Sequence, residues 1–95
     1  MSIEFSNVVY IGKKFFMRYV MALLFQFNIL NHDRVLIKAR GKAISKAVHV
    51  AETLRRTFMP EVKYGKIVTG SVTIESSGRR VRVSSIEIEL KRHKH

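Results

Sequence analysis

Two tripeptides in this sequence pair glycine with lysine, Gly12-Lys13-Lys14 and Arg40-Gly41-Lys42. Each follows a short run rich in β-branched residues and precedes an apolar, helix-forming stretch, so each reads as a strand-to-helix junction. A lysine in the first turn of a helix faces the positive end of the helix dipole, which costs about 0.3–1 kcal/mol. An anion at the junction offsets that cost, and a helix N-terminus with free backbone N–H groups beside lysines is a phosphate site. The two strands of a βαβ unit are parallel, so both junctions should emerge at one edge of the sheet. The spacing of a nucleotide-binding P-loop is absent. Charge that is merely solvated is the competing reading. Lys46, one turn into the second helix, adds to the same group.

A third basic cluster, Arg79, Arg80 and Arg82, follows the turn-forming run Ser76-Ser77-Gly78. Arginines on a projecting two-stranded arm suit the minor groove of duplex DNA, whose narrow stretches attract guanidinium groups. The alternative use of such charges is to protect a sheet edge from aggregation. The tail Lys91-Arg92-His93-Lys94-His95 adds cationic charge of low specificity.

Catalytic chemistry has little to stand on. The seven acidic residues are dispersed, and the one close pair, Glu87 and Glu89, alternates along a strand whose other face carries Ile86, Ile88 and Leu90. Both carboxylates then face solvent or a partner, whereas an acid/base dyad needs contrasting environments. His93 and His95 lie in the tail, His32 in a turn, and His49 has only Glu52 at metal-ligand spacing. Ser45, Ser84 and Ser85 have no nucleophile-activating pattern, and there is no cysteine to serve as thiolate ligand or nucleophile. The expectation is a binding protein that needs no cofactor and no metal, not an enzyme.

The elements that position these residues follow from periodicity. Residues 7–11 form a strand, 15–30 a helix apolar around much of its circumference, and 34–39 a second strand. Ile44, Ala47, Val48, Ala51, Leu54 and Phe58 recur on one face of a helix over 42–57, which Met59-Pro60 ends. Val62, Tyr64, Val68, Val72 and Ile74 share one phase of a long strand. Its return strand carries Val81 and Val83 and then shifts phase to Ile86, Ile88 and Leu90, which predicts a β-bulge at Ser84-Ser85. The order is βαβαββ: an α/β domain, an α+β two-layer sandwich of two helices on a mixed four-stranded sheet with a protruding hairpin. At 95 residues, 46% hydrophobic and 26% charged, the chain is one globular domain, 1–95, with flexible ends at 1–6 and 92–95. Helix 15–30 spans only about 24 Å at about 1.5 Å per residue and carries Arg18, Gln26 and Asn28, so it is a core helix and not a membrane span. The excess of 18 basic over seven acidic residues, +11 in total, makes nucleic acid the leading partner and an anionic membrane surface a distant second.

The runs 7–14, 37–48 and 82–88 resemble the Alba family of archaeal chromatin proteins, and the segment IKARGKAISKAV is the most specific of them. The resemblance extends from Asn7 to about Lys91. It implies a fold like the C-terminal domain of translation initiation factor three, and a homodimer, or a heterodimer with a paralogue. It implies binding of double-stranded DNA and of RNA, largely independent of sequence, in a cytoplasmic, chromosome-associated setting. It assigns backbone contacts to Lys13 and Lys14, and matches Arg40, Gly41, Lys42 and the arginines 79–82 to the family's other basic elements. Lys13 matches a reversibly acetylated position, served by an acetyltransferase and a deacetylase, and Phe58 a dimer–dimer contact. Phe15 departs from the family, where proline is frequent. Eukaryotic relatives serve in ribonuclease P, so a role as an RNA-binding ribonucleoprotein subunit is the alternative.

Overall fold

β-Branched Val8 and Val9 start β1 (Val8–Tyr10), which pairs in parallel with β2 (Arg34–Arg40). Between them runs α1 (Phe16–Asn28), and β2 is followed by α2 (Ala43–Thr53), which a π-helical turn, Leu54–Phe58, prolongs. The long strands β3 (Lys63–Ser76) and β4 (Arg79–Lys91) complete a four-stranded sheet in the order β1-β2-β4-β3. This computed structural model describes residues 7–93, so the flexible ends expected at 1–6 and at Lys94 and His95 lie outside the described residues. The two helices cover one face of the sheet, and the expected βαβαββ order is observed.

The core lies between the helices and that face. Val20, Leu23 and Phe27 of α1, Ala47, Val50 and Ala51 of α2 and Leu54 of the π-helical turn are fully buried against Val35, Ile37, Ile88 and Leu90. Fully burying one such aliphatic side chain contributes about 1.5–3 kcal/mol, so this cluster dominates stability. Two departures from the expected α2 face stand out. Val50 joins the core while Val48 is 44% exposed, because the buried arc is narrower and rotated toward α1. Phe58 is 43% exposed, because the π-helical turn inserts extra chain and rotates it off the core line.

The end of α1 is also built from charge. Asn31 takes a left-handed conformation, φ 63°, which asparagine tolerates better than most residues. Arg92 donates to the Phe27 carbonyl and to Asn28 Oδ1 (3.1 Å), where its charge meets the negative end of the helix. The main-chain N–H of Arg92 also donates to the Asp33 carbonyl (2.9 Å), so this residue, expected in a flexible tail, is tied down.

The bulge is not where the alternation placed it. β4 pairs without a break, and the extra residue lies in β3, between Tyr64 and Ile67. The apolar pattern changes phase because its residues change face: Ile86, Ile88 and Leu90 point to the core, while Val81 and Val83 pair with Ile74 and Val72 on the other side. Val62 and Tyr64 therefore lie on the core side, and Val68, Val72 and Ile74 on the opposite one. At the bulge the Lys66 N–H donates to Glu89 Oε1 (3.1 Å), and a Cβ on Gly65 would fall 2.0 Å from that same oxygen.

α2 is fastened to the start of β3 through Glu52. The Tyr64 hydroxyl donates to its carboxylate, Arg55 lies 3.1 Å from it and 4.5 Å from the centre of the Tyr64 ring, and Arg55 Nε donates to the Val62 carbonyl (3.0 Å). The Tyr64 hydrogen bond, aided by Arg55 and Arg56, holds the Glu52 carboxyl below its ordinary value of 4.5. Burial, with Glu52 beside it, pushes the Tyr64 phenol up to about 12. The bound phenol proton stabilises the fold fully below the ordinary value of 10, and that contribution is lost as pH climbs from about 10 to about 12. In urea unfolding across that interval, Tyr64→Phe is expected to flatten the alkaline fall in stability, and an unchanged slope would remove Tyr64 as its source.

Candidate nucleic-acid interface

The first junction leaves β1 through Ile11, whose N–H donates to the Lys38 carbonyl (2.9 Å). Gly12, Lys13 and Lys14 then turn the chain into α1. Tyr19, one turn into α1, holds them: its hydroxyl oxygen accepts the N–H groups of Gly12 (3.0 Å) and Lys14 (3.1 Å). These two amides are thus engaged within the protein, which corrects the expectation that the junction offers free N–H groups. Lys46, from α2, donates its ammonium to the carbonyls of Gly12 (2.8 Å) and Lys14 (2.9 Å).

The second junction turns on Gly41, whose φ of 57° is left-handed. Its N–H donates to the Ser84 carbonyl (2.8 Å), and its carbonyl accepts the N–H of Ile44 (3.2 Å). Neither helix has a side-chain cap at its start or an acidic residue in its first turn. Aspartate, glutamate and hydroxyl caps are favoured at such positions, so both positive helix ends are left without protein anions of their own. The junctions converge: Lys13, Lys14, Lys42 and Lys46 line one open concavity of about 480 Å³, with the Phe16 and His49 rings in its wall, their centres 4.3 Å apart and their planes tilted by 43°. Phe15, at the α1 start, is 72% exposed.

The hairpin arm leaves the sheet at the same edge. Arg40 is the last residue of β2 and pairs with Ser85, so residues 71–76 and 79–84 of the two long strands extend beyond β2. Six paired residues at about 3.4 Å each make an arm of about 20 Å. Its tip is a two-residue turn with Ser77 (φ 52°) and Gly78 (φ 75°) both left-handed, the turn type whose twist matches that of the strands. Arg79, Arg80 and Arg82 are exposed. Ladder pairing puts Arg80 and Arg82 on the helix side and Arg79 on the other, and Arg82 Nε donates to Ser71 Oγ (3.0 Å).

Arg40 departs from the lysine group. Its strand phase places it on the sheet face away from the helices, with Tyr10 and Lys38 in a second concavity of about 640 Å³. There Lys38 lies 3.1 Å from Glu87, whose hydrogen bond and charge raise its pKa. Glu87 and Glu89 are each committed to separate cations, Glu89 to Arg34 (3.9 Å). Among the described residues no group of three His, Asp or Glu side chains could hold a metal ion, and no helix is long and apolar enough to cross a membrane.

The family model described as Alba matches residues 7–71. This chain belongs to the Alba family. It is 49% identical over 86 residues to the DNA/RNA-binding protein Alba of Methanococcus maripaludis, covering 90% of this chain and 97% of that one. The Thermoplasma acidophilum protein of the same name is 48% identical over 87 residues, 92% and 97% of the two chains. Alba from Thermoplasma volcanium superposes with a TM-score of 0.87 at 48% identity, over 90% of this chain and all of that one. ALBA1 from Trypanosoma brucei superposes at 0.72 and 26% identity, over 95% of this chain and 72% of that one.

Sequence reasoning missed what holds this Alba site together. Tyr19 reads as one more aromatic of an apolar helix, and its partners are fixed only when α1 folds back on the junction. Gly41 is legible and testable: no atom lies within 4 Å of a Cβ built there, so substitution costs only backbone strain. Gly41→Ala is expected to lose about 1–2 kcal/mol in urea unfolding and Gly41→Asn less, whereas equal losses would mean that φ is not the constraint.

Proposed function

We propose that this Alba chain binds double-stranded DNA and RNA without sequence preference, as a dimer that coats, bridges or compacts DNA on the chromosome. The observation that carries the reading is the convergence, at one sheet edge, of two uncapped helix starts, four lysines and a 20 Å arginine arm (six residues at about 3.4 Å). Lys13, Lys14 and Lys42 neutralise backbone phosphates, and each phosphate so neutralised contributes about −0.9 to the slope of log affinity against log salt. Because phosphates carry no base identity, this part of the interface is indifferent to sequence. The arm enters the minor groove, about 6 Å wide, where a ribbon with Arg79 on one face and Arg80 and Arg82 on the other meets both phosphate walls. Arg40, on the far face at the same edge, extends the cationic rim. Relatives named DNA/RNA-binding protein Alba support both ligands.

Dimerisation has a physical motive. The flank of α2 that meets β3 through Glu52 also carries Val48, and the core-side face of β3 carries Ile67, about half exposed like Val48; Ile44 and Ile86 are half-buried at the margin of the core. Such a patch is covered by a second copy of this chain or by a paralogue. Lys13 is exposed and open to an acetyltransferase or deacetylase; its acetylation removes one phosphate contact.

Lys13→Glu combined with Lys14→Glu is expected to weaken binding by a similar factor on unrelated DNA sequences and on structured RNA, and to flatten the salt slope by about 1.8. Unchanged affinity in filter-binding titrations would refute the lysine site, and a loss confined to RNA would favour the ribonucleoprotein-subunit reading. Phe58→Ala is expected to leave the dimer intact in sedimentation while lowering cooperativity of DNA coating; dissociation of the dimer itself would reject Phe58 as a dimer–dimer contact.

A further inference from the structure

We infer that Tyr19 and Lys46 are positioning residues for the lysine corner, and that Lys46 serves the interface through that corner, not as a phosphate contact of its own. The inference rests on the reading of Lys13 and Lys14 as phosphate ligands.

Four hydrogen bonds close on two residues, Gly12 and Lys14. The Tyr19 hydroxyl oxygen has two lone pairs, and both are used by the N–H groups of Gly12 (3.0 Å) and Lys14 (3.1 Å). The Lys46 ammonium spends two of its three protons on the carbonyls of the same two residues (2.8 and 2.9 Å). The residue between them, Lys13, is thus bracketed on both sides by residues whose N–H and C=O are both held. The two clamping groups come from different helices and lie against each other, with the ammonium 5.8 Å from the centre of the Tyr19 ring. Tyr19 is buried at the α1–sheet interface, so it transmits the rigidity of the core to the junction. Gly12 belongs to the same device, because a Cβ there would sit 3.2 Å from the Tyr19 hydroxyl.

A cation bound to two carbonyls has less to offer a phosphate than one in solvent. Lys46 moving to a phosphate would abandon both bonds and release the corner that carries Lys13 and Lys14. The geometry therefore favours a division of labour, in which Lys46 and Tyr19 meet the ordering cost of the corner on folding, so that it is not met again on binding. Lys46 also ties the start of α1 to α2, fixing the distance between the two junctions.

The test is a salt series of duplex-DNA titrations on full-length variants, with amide hydrogen exchange at Gly12 and Lys14 and thermal unfolding of each. Tyr19→Phe leaves every charge in place. It is expected to weaken binding roughly three- to tenfold, the scale of one ordinary hydrogen bond, with the salt slope unchanged and both amides exchanging faster. Lys46→Met is expected to behave the same way, and Lys46→Arg, which keeps the donors, to recover most of the affinity. A Lys46→Met slope flatter by about 0.9 would make Lys46 a direct contact and overturn the inference. Wild-type affinity in Tyr19→Phe would overturn it too. If Lys13→Glu with Lys14→Glu loses binding while Tyr19→Phe does not, the clamp alone is wrong; if that double variant binds as wild type, the phosphate reading itself has failed.

Discussion

One register governs where everything functional lies. β2 and β4 pair from Arg34 with Lys91 to Arg40 with Ser85, and the ladder ends in the bond from the Gly41 N–H to the Ser84 carbonyl. At that point the two strands part: β2 turns into α2 while β4 comes from the arm. The parallel pairing of β1 with β2 brings the first junction to the same edge. Slipping β4 by one residue would swing Ile88 and Leu90 out of the core, so the packing that stabilises the domain also fixes the arm relative to the lysines. Stability and function share a constraint here and cannot drift apart.

The acidic residues sharpen the same asymmetry. Glu52 is spent on Arg55, Arg56 and Tyr64, Glu87 on Lys38, and Glu89 on Arg34 and the Lys66 amide. Exposed ion pairs of this kind contribute little stability, about 0–1 kcal/mol each. Their effect on the electrostatic field is larger: they cancel charge on the body of the sheet and on the far flank of α2 while leaving Lys13, Lys14 and Lys42 uncompensated. A net charge of +11 on 95 residues is thereby concentrated toward one edge.

How much of this the sequence discloses depends on the range of the interaction. Local periodicity reveals the α2 helix and the order of elements, since each depends on neighbours three or four residues away. The glycine–lysine junctions are legible for the same reason. The bulge is misplaced because a change of apolar phase along β4 has two causes, an extra residue or a change of buried face, and only the partner strand tells them apart. Phe58 looks like a core residue because a period of 3.6 does not foresee a π-helical turn. Tyr19 gives no signal, and Lys46 is legible only as one more cation of the group: it reaches across 34 and 32 residues to the junction, and nothing local marks a lysine whose ammonium is turned inward.

The two halves of the interface answer different physical demands. The lysine corner is held by helices, core and clamp, so the phosphates proposed for it would be met at fixed spacing, with the gain that preorganisation brings. The arm has no core beneath it: its residues are mostly exposed, and a two-stranded ribbon alone in water is marginal. Groove width varies with sequence and with ligand, and a compliant arm follows that variation where a rigid one would select against it. On the proposed reading, a rigid phosphate site supplies affinity and register and a compliant arm supplies tolerance, a combination that favours charge over base identity.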